Sequence, residues 1–366
     1  MPAINLSYLD VSFPKYSYTI KEIVDEIFSQ KLDNDVRNYI KNHIGIENVY
    51  KSFDLHKISI NGSDYLRPDI LLNDMYVKIA KKAFKISKTM PSEISLLIMF
   101  NGNQQYVMPA PTLEMVSRLG LNKDVRTQNF QGMACSSFSE ALQGAAGHFA
   151  IGKKGKVLLL QSQYNTEWYL NIIRRAKKIS MKDKKNFFAF IYFAIFSDVV
   201  GAAIISNDDK DSLVKIDTET IFSRKDTSRD SYKKAKVELV SDKKHQMIFD
   251  MNLSPNLLKQ SVGDLSEENI SQIKTKFPTD FKNVKSWGFH TAGLSFVDYV
   301  REKCNIDKEK AKLTYKLMKK TGNTGTVSSL QFIKESVEKK VIKKGETGGI
   351  VDFGWEGNDS FLYTVQ

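Results

Sequence analysis

Three stretches set the architecture of the first half: SEISLLIMFNG (Ser92–Gly102), SSFSEALQGAAGHFA (Ser136–Ala150) and GKVLLLQSQ (Gly155–Gln163). The first and third are continuous apolar runs bounded by turn residues, which suits strands buried on both faces. The second is rich in Ser, Ala and Gly, which suits a helix that lets its neighbours approach closely. Between them TLEMVSRL (Thr112–Leu119) reads as helix and VRTQNF (Val125–Phe130) as strand. The order strand, helix, strand, helix, strand predicts an α/β layer structure with parallel strands.

Outward from this block, residues 17–45 carry Ile20, Ile23, Val24 and Ile27 at the spacing of one helix face, and a second helix is expected over Pro68–Ile86. The run NFFAFIYFAIFSDVVGAAIIS (Asn186–Ser206) imitates a membrane span, but Asp198 and Gly201 interrupt it. It reads instead as a buried helix or strand running into a buried strand. Asn207–His245 is polar and charged, suiting edge strands and loops. Beyond it, helices are expected near Leu257–Phe277, Leu294–Lys303, Lys308–Lys320 and Val327–Lys340, and the C-terminal stretch reads as two strands around a Gly-rich loop. Two related α/β halves follow, 1–210 and 211–366.

The 366 residues suggest two to three units at roughly 150 residues each. At 42% hydrophobic and 26% charged residues, disorder is excluded as the main state. The net charge of +12 favours anionic partners such as phosphates, cofactors or acidic proteins. Two cysteines and five scattered histidines give no disulfide framework and no metal-ligand spacing, so no metal is expected. The N-terminus lacks a basic segment followed by an apolar one, so a cytoplasmic setting without a membrane span is expected. With no basic, aromatic-interleaved stripe, nucleic-acid binding is not expected.

Cys135, in QGMACSSFSEAL, falls after a strand and at the start of a helix, where the helix dipole favours a thiolate nucleophile. His290 lies in SWGFHTAG among small residues that admit a ligand or another backbone. Asn323 lies in GNTGT before an apolar helix, and the DFGWEGN loop (Asp352–Asn358) has glycines that can present N–H groups to an oxyanion. Each has a plainer reading on its own: a structural cysteine, a satisfied core histidine, a helix cap and a hairpin turn.

Together and in this order they resemble the thiolase-fold condensing enzymes, in particular the type III polyketide synthases (chalcone-synthase-like) and ketoacyl-ACP synthase III. Three segments carry the resemblance: YVMPAPTLEMVSRLGLNKDVRTQNFQGMACSS (Tyr106–Ser137), WGFHTAG (Trp287–Gly293) and GNTGTVSSLQFIKE (Gly322–Glu335). It implies a five-layered α/β/α/β/α fold of two related halves. It implies Cys135 as acyl-accepting nucleophile, with His290 and Asn323 bonding the thioester carbonyl. It places Met108 across a homodimer interface, Phe196 beside the active-site mouth and Ile248 at a second gatekeeper position. Where type III polyketide synthases carry Gly-Phe-Gly-Pro-Gly, this chain reads Phe-Gly-Trp-Glu-Gly, so Gly354 and Trp355 are expected to shape the pocket.

The activity so implied is that of an acyltransferase: decarboxylative Claisen condensation of a Cys135-bound acyl group with a malonyl thioester, in secondary-metabolite or fatty-acid-like biosynthesis. The substrates are acyl-CoA and malonyl-CoA or acyl-carrier-protein thioesters, with no further cofactor. Lys51, Lys57, Arg174, Arg175, Lys177 and Lys178 are candidates for steering their phosphates. Alternatives are an accessory subunit of a heterodimeric ketosynthase, which the presence of all three catalytic residue types argues against, and a non-decarboxylative condensing enzyme. The latter needs a positioned carboxyl such as Glu114.

Overall fold

A computed structural model describes residues 3–101, 110–131, 135–136, 138–208, 210–227, 235–241, 247–355 and 357–366, with the backbone alone for 131, 235–241, 247–253 and 255. The first half contains β1 (Ile4–Ser12), β2 (Tyr16–Thr19), α1 (Ile20–Glu22), α2 (Asn34–His43), β3 (Asn48–Lys51), α3 (Leu72–Ser87), β4 (Ile94–Asn101), α4 (Pro111–Leu119) and β5 (Arg126–Gln131). It continues with α5 (Phe138–Ala150), β6 (Lys156–Gln163), α6 (Thr166–Arg175), α7 (Lys184–Ile195) and β7 (Val199–Ser206). The second half contains β8 (Val214–Ile216), β9 (Phe222–Lys225), β10 (Ala235–Ser241), β11 (Met247–Leu253), α8 (Pro255–Lys276), α9 (Pro278–Asn283) and β12 (Ser286–Phe289). There follow α10 (Leu294–Lys303), α11 (Lys312–Thr321), α12 (Ser328–Glu338), β13 (Thr347–Phe353) and β14 (Gly357–Val365).

Among the described residues ten strands join in the order β12-β13-β14-β8-β1-β7-β6-β4-β5, with β9 on β14. β4 is parallel to both β5 and β6, as the alternation predicts. The sheet as a whole is mixed, because β7 runs antiparallel to β6 and to β1, and β14 antiparallel to β13. Pairing of β1 with β8 connects the strands of the two halves.

Side-chain packing divides this assembly into five layers. α3 and α4 cover one face of β4, β6 and β7 through Tyr76, Ile79, Met115 and Leu160. The opposite face packs on α5 and α12, which also receive Ile350, Phe361 and Tyr363 from β13 and β14. Trp287, Phe289, Val351 and Phe353 face away from that layer, toward α8 and α10. Small residues make the central layer possible: Ala141, Ala145 and Ala146 on α5 are fully buried.

Residues 17–45 do not form the single helix expected. Tyr16–Thr19 alternates as a strand and pairs with Asn48–Lys51, and Thr19 and Glu22 form a capping box that starts a short helix after it. A five-residue π-helical segment follows before α2 begins at Asn34. The Asn186–Ser206 run is α7 followed by β7, and among the described residues no helix is long and apolar enough to cross a membrane.

Candidate active site

Cys135, His290 and Asn323 line one cavity of about 60 Å³, with Phe196, Gly354 and Trp355. Tyr192, Leu258, Val262, Ala292, Phe296 and Phe353 complete the wall. Cys135 sits in a bend three residues ahead of α5 and is 9% exposed. His290 follows β12, its backbone N–H donating to the Val351 carbonyl at 3.2 Å. Asn323 occupies the turn between α11 and α12. Three separate connections thus deliver three side chains to one point.

The Asn323 turn is held from both sides. Its N–H donates to the Ile195 carbonyl at 2.8 Å, and its carbonyl accepts from the Ser197 N–H at 2.9 Å. The Gly325 N–H donates to Asn323 Oδ1 at 2.9 Å. A backbone N–H can only donate, so this bond fixes the amide orientation and leaves Nδ2 as the donor for the cavity. The flanking glycines permit the turn. Gly322 and Gly325 have φ of 69° and 53°, and a Cβ on Gly325 would collide with the Gln163 side chain.

His290 Nδ1 lies 3.1 Å from Ser328 Oγ, and its ring meets the Phe353 ring edge-on at 5.3 Å. Burial pushes the imidazole down to about 3, against a weaker opposing contact from the Gly325 backbone. At neutral pH the resting ring is therefore uncharged. It is suited to exchange hydrogen bonds as a neutral ring, rather than to stand as the imidazolium of a preformed ion pair. Behind it the hydroxyls of Thr291, Thr324 and Ser328 interconnect at 3.1–3.4 Å, and Thr324 Oγ1 donates to Gln331 Oε1 at 3.0 Å. This network ties the His290 loop to the Asn323 turn. The Thr and Ser residues of HTAG and GNTGTVSS were its only signal in the sequence.

Tyr192 is a wall residue that the sequence reading missed. It lies one helical turn before Phe196 and stacks on it at 5.5 Å, while Trp355 meets it edge-on at 6.1 Å. These rings close the apolar side of the cavity. The Gly354 N–H donates to the Gly357 carbonyl at 2.9 Å. That uses up one of the N–H groups that the 353–355 loop was expected to offer an oxyanion.

Two of the expected phosphate-steering cations are not at the surface. Lys51 is fully buried, with Nζ donating to the Phe193 and Phe196 carbonyls. Arg174 is 3% exposed and holds the Ser59 and Asp64 carbonyls at 2.7 Å. Lys51 serves carbonyls at a buried helix end, and Arg174 ties down a surface loop through these carbonyls and the Asp64 carboxylate at 3.0 Å, roles a sequence-local reading cannot see. Lys57, Arg175, Lys177 and Lys178 are exposed, Lys57 pairing with Asp54 and Lys178 with Asp33. Met108 lies outside the described residues. Ile248 is in β11, where its backbone pairs with Val240. Glu114 accepts from Asn73 and Arg118 on the α3–α4 side. Among the described residues no group of three metal-ligating side chains assembles.

No family model matches the chain. A beta-ketoacyl-[acyl-carrier-protein] synthase III of Clostridium perfringens is 22% identical over 341 residues, covering 92% of this chain and 93% of that protein. A type III pentaketide synthase from Neurospora crassa superposes with a TM-score of 0.78 at 16% identity, covering 99% of this chain and 100% of that one. Xanthomonas campestris OleA, in a structure with bound lauric acid and lauroyl-CoA, superposes with a TM-score of 0.77 at 15% identity, covering 100% and 99%. The chain has the thiolase fold, and its relatives are condensing enzymes of the acyltransferase class, as the three sequence segments implied.

Proposed function

We propose that this acyltransferase-type condensing enzyme carries an acyl group on Cys135 and extends it by decarboxylative Claisen condensation. The convergence of Cys135, His290 and Asn323 on one cavity carries the reading. As the acyl thioester arrives, the Cys135 sulfur attacks its carbonyl while the thiol proton passes by way of the neutral His290 ring to the departing carrier sulfur, which leaves as the thiol. A malonyl thioester then loses CO₂. The enolate oxygen that develops takes hydrogen bonds from His290 and from Asn323 Nδ2. The enolate carbon attacks the Cys135 acyl carbonyl, and the collapse of that adduct releases the cysteine thiolate, which takes one proton from solvent to restore the thiol.

The reaction draws its reactive carbon from the two thioesters and calls on no resident cofactor. Coenzyme A and an acyl carrier protein are both anionic donors that suit a +12 chain. We take the acting form to be a homodimer, with Met108 reaching the partner's cavity as the resemblance implies. A cavity of about 60 Å³ is far below the ~300–1,000 Å³ of ordinary ligand pockets. A short first acyl group and few extensions suit it better than a long polyketide. Phe196, Trp355, Gly354 and Ile248 are the residues we assign to the pocket.

Intact-protein mass after incubation with a panel of acyl-CoAs tests the reading. Wild type is expected to gain one acyl group, and Cys135→Ala none. Added malonyl-CoA is then expected to release CO₂ and discharge the acyl mass. Equal labelling of wild type and Cys135→Ala would refute the assignment of the nucleophile. Labelling without CO₂ release would favour a non-decarboxylative condensation.

A further inference from the structure

Lys51 is the most unusual buried cation of the chain. It lies on β3 with no exposed surface. Its Nζ donates to the carbonyls of Phe193 and, at 2.7 Å, Phe196, and stands 4.5 Å from the centroid of the Phe193 ring. Those carbonyls end α7, where the helix dipole is negative and acceptors lack partners of their own. The backbone just past this point builds the active site. Ile195 accepts from the Asn323 N–H, Ser197 donates to the Asn323 carbonyl, and Phe196 lines the cavity.

We propose that Lys51 is a positioning residue, whose ammonium holds the end of α7 and thereby sets Asn323 and Phe196 in the cavity. The assignment deepens the proposed function, since it names what places the enolate-stabilising amide. The strand side supports the same point. Ser197 Oγ accepts from the Tyr50 N–H at 2.9 Å, and the Asp198 N–H donates to the Tyr50 carbonyl at 2.8 Å. The Ser52 N–H donates to Asp198 Oδ2 at 2.8 Å, so β3 and the 195–198 segment are joined on both sides of Lys51.

The ionisable group that acts on Lys51 is Asp198, whose carboxylate is occupied by Ser52, Asn165 and Thr166. From α7 the Phe193 carbonyl and ring face it. Tyr16 is its register neighbour on β2. Burial pushes the amine down to about 7, with Asp198 opposing, so the ammonium is discharged near neutrality. The hold on α7 is therefore strongest on the acid side and weakens as pH rises.

The fold supplies a control. Lys31 is also buried and caps α6 through the Ile173, Arg174 and Ala176 carbonyls, but no residue of that helix end lines the cavity. The full-length wild type, Lys51→Met, Lys51→Arg and Lys31→Met are compared by two readouts. Amide hydrogen exchange is followed in segments 193–199 and 321–326, corrected for intrinsic rates. Malonyl-CoA decarboxylation is compared with Cys135 acylation.

In Lys51→Met, exchange in both segments is expected to rise about tenfold and decarboxylation to fall about tenfold, with acylation within about twofold. Lys51→Arg is expected to recover most of both, and Lys31→Met to change neither the two segments nor the ratio. Unchanged exchange in Lys51→Met, or acylation and decarboxylation falling in parallel, overturns the assignment. If Lys51→Met does not fold, wild type decides alone. Protection of the two segments is expected to drop as pH rises through about 7, and pH-independent protection overturns the proposal. A wild type that neither acylates nor decarboxylates refutes the functional reading, while exchange still decides the role of Lys51.

Discussion

At the scale of single residues, protonation and amide orientation decide what the site can do. Asn323 Oδ1 is taken by the Gly325 N–H, so its value to the reaction lies in Nδ2. Removal of one preorganised oxyanion donor typically costs about 10²–10³ in rate. Asn323→Ala is expected to lose that much in malonyl-CoA decarboxylation while Cys135 still acylates. Equal loss of both steps, seen by intact mass and CO₂ release, would mean that Asn323 supports the turn rather than the enolate. His290 makes a prediction in pH. Its folded value, depressed to about 3, lies below the ordinary ~6.5. The unfolded chain therefore takes up a proton first. The stability from neutral His290 is complete above about 6.5 and is lost as pH falls toward 3. Acylation of Cys135 measured from about pH 5 to about pH 8 should show no acid limb near 6.5. Such a limb would show that the ring titrates as a hydrated imidazole and is not sealed by Phe353 and Ser328.

At the scale of elements, the aromatic wall of the cavity combines one helix face and one loop. Tyr192 and Phe196 are a helical turn apart, and Trp355 closes against Tyr192. Trp355→Gly removes the largest wall and should shift acyl-CoA preference toward longer chains. Intact-mass labelling with acyl-CoAs of increasing length reads this directly, and an unchanged preference would place the limit elsewhere. The same scale shows what the sequence could reveal. β4, α5 and β6 were legible because strands covered on both faces become apolar throughout, and a helix in a central layer must be small. Residues 17–45 misled only in part: Ile20, Ile23, Val24 and Ile27 do lie in helical turns, but Tyr16–Thr19 before them pairs with β3 and the helix breaks before α2 begins at Asn34. Cys135, His290 and Asn323 stood out as chemistry-bearing residues in small-residue surroundings. Tyr192 did not, since an aromatic in an aromatic-rich helix carries no local mark of the face it presents. Lys51 and Arg174 were misread because burial of a cation is decided by the carbonyls that packing brings to it.

At the scale of the whole molecule, five layers put the reacting side chains deep inside, and the chain's charge acts at long range. With +12 net and the buried Lys31, Lys51 and Arg174 committed to partners within the chain, the remaining cations form the outer field. Such a field raises the encounter rate with an anionic thioester and is screened over about 10 Å at ~0.1 M salt. The chemical step takes place among buried side chains and should feel that screening far less. Raising NaCl from about 20 mM to about 500 mM is therefore expected to lower kcat/KM for an acyl-CoA several-fold and to leave kcat unchanged. The N-acetylcysteamine thioester of the same acyl group carries no phosphate and should lose nothing. If both donors respond alike, salt acts on the fold or on the site, and the basic surface has no part in capturing substrate. If only the coenzyme A thioester responds, exchanging Arg175, Lys177 and Lys178 for Gln one at a time will show which cations carry the effect. Lys178 should give the smallest change, because Asp33 already neutralises it.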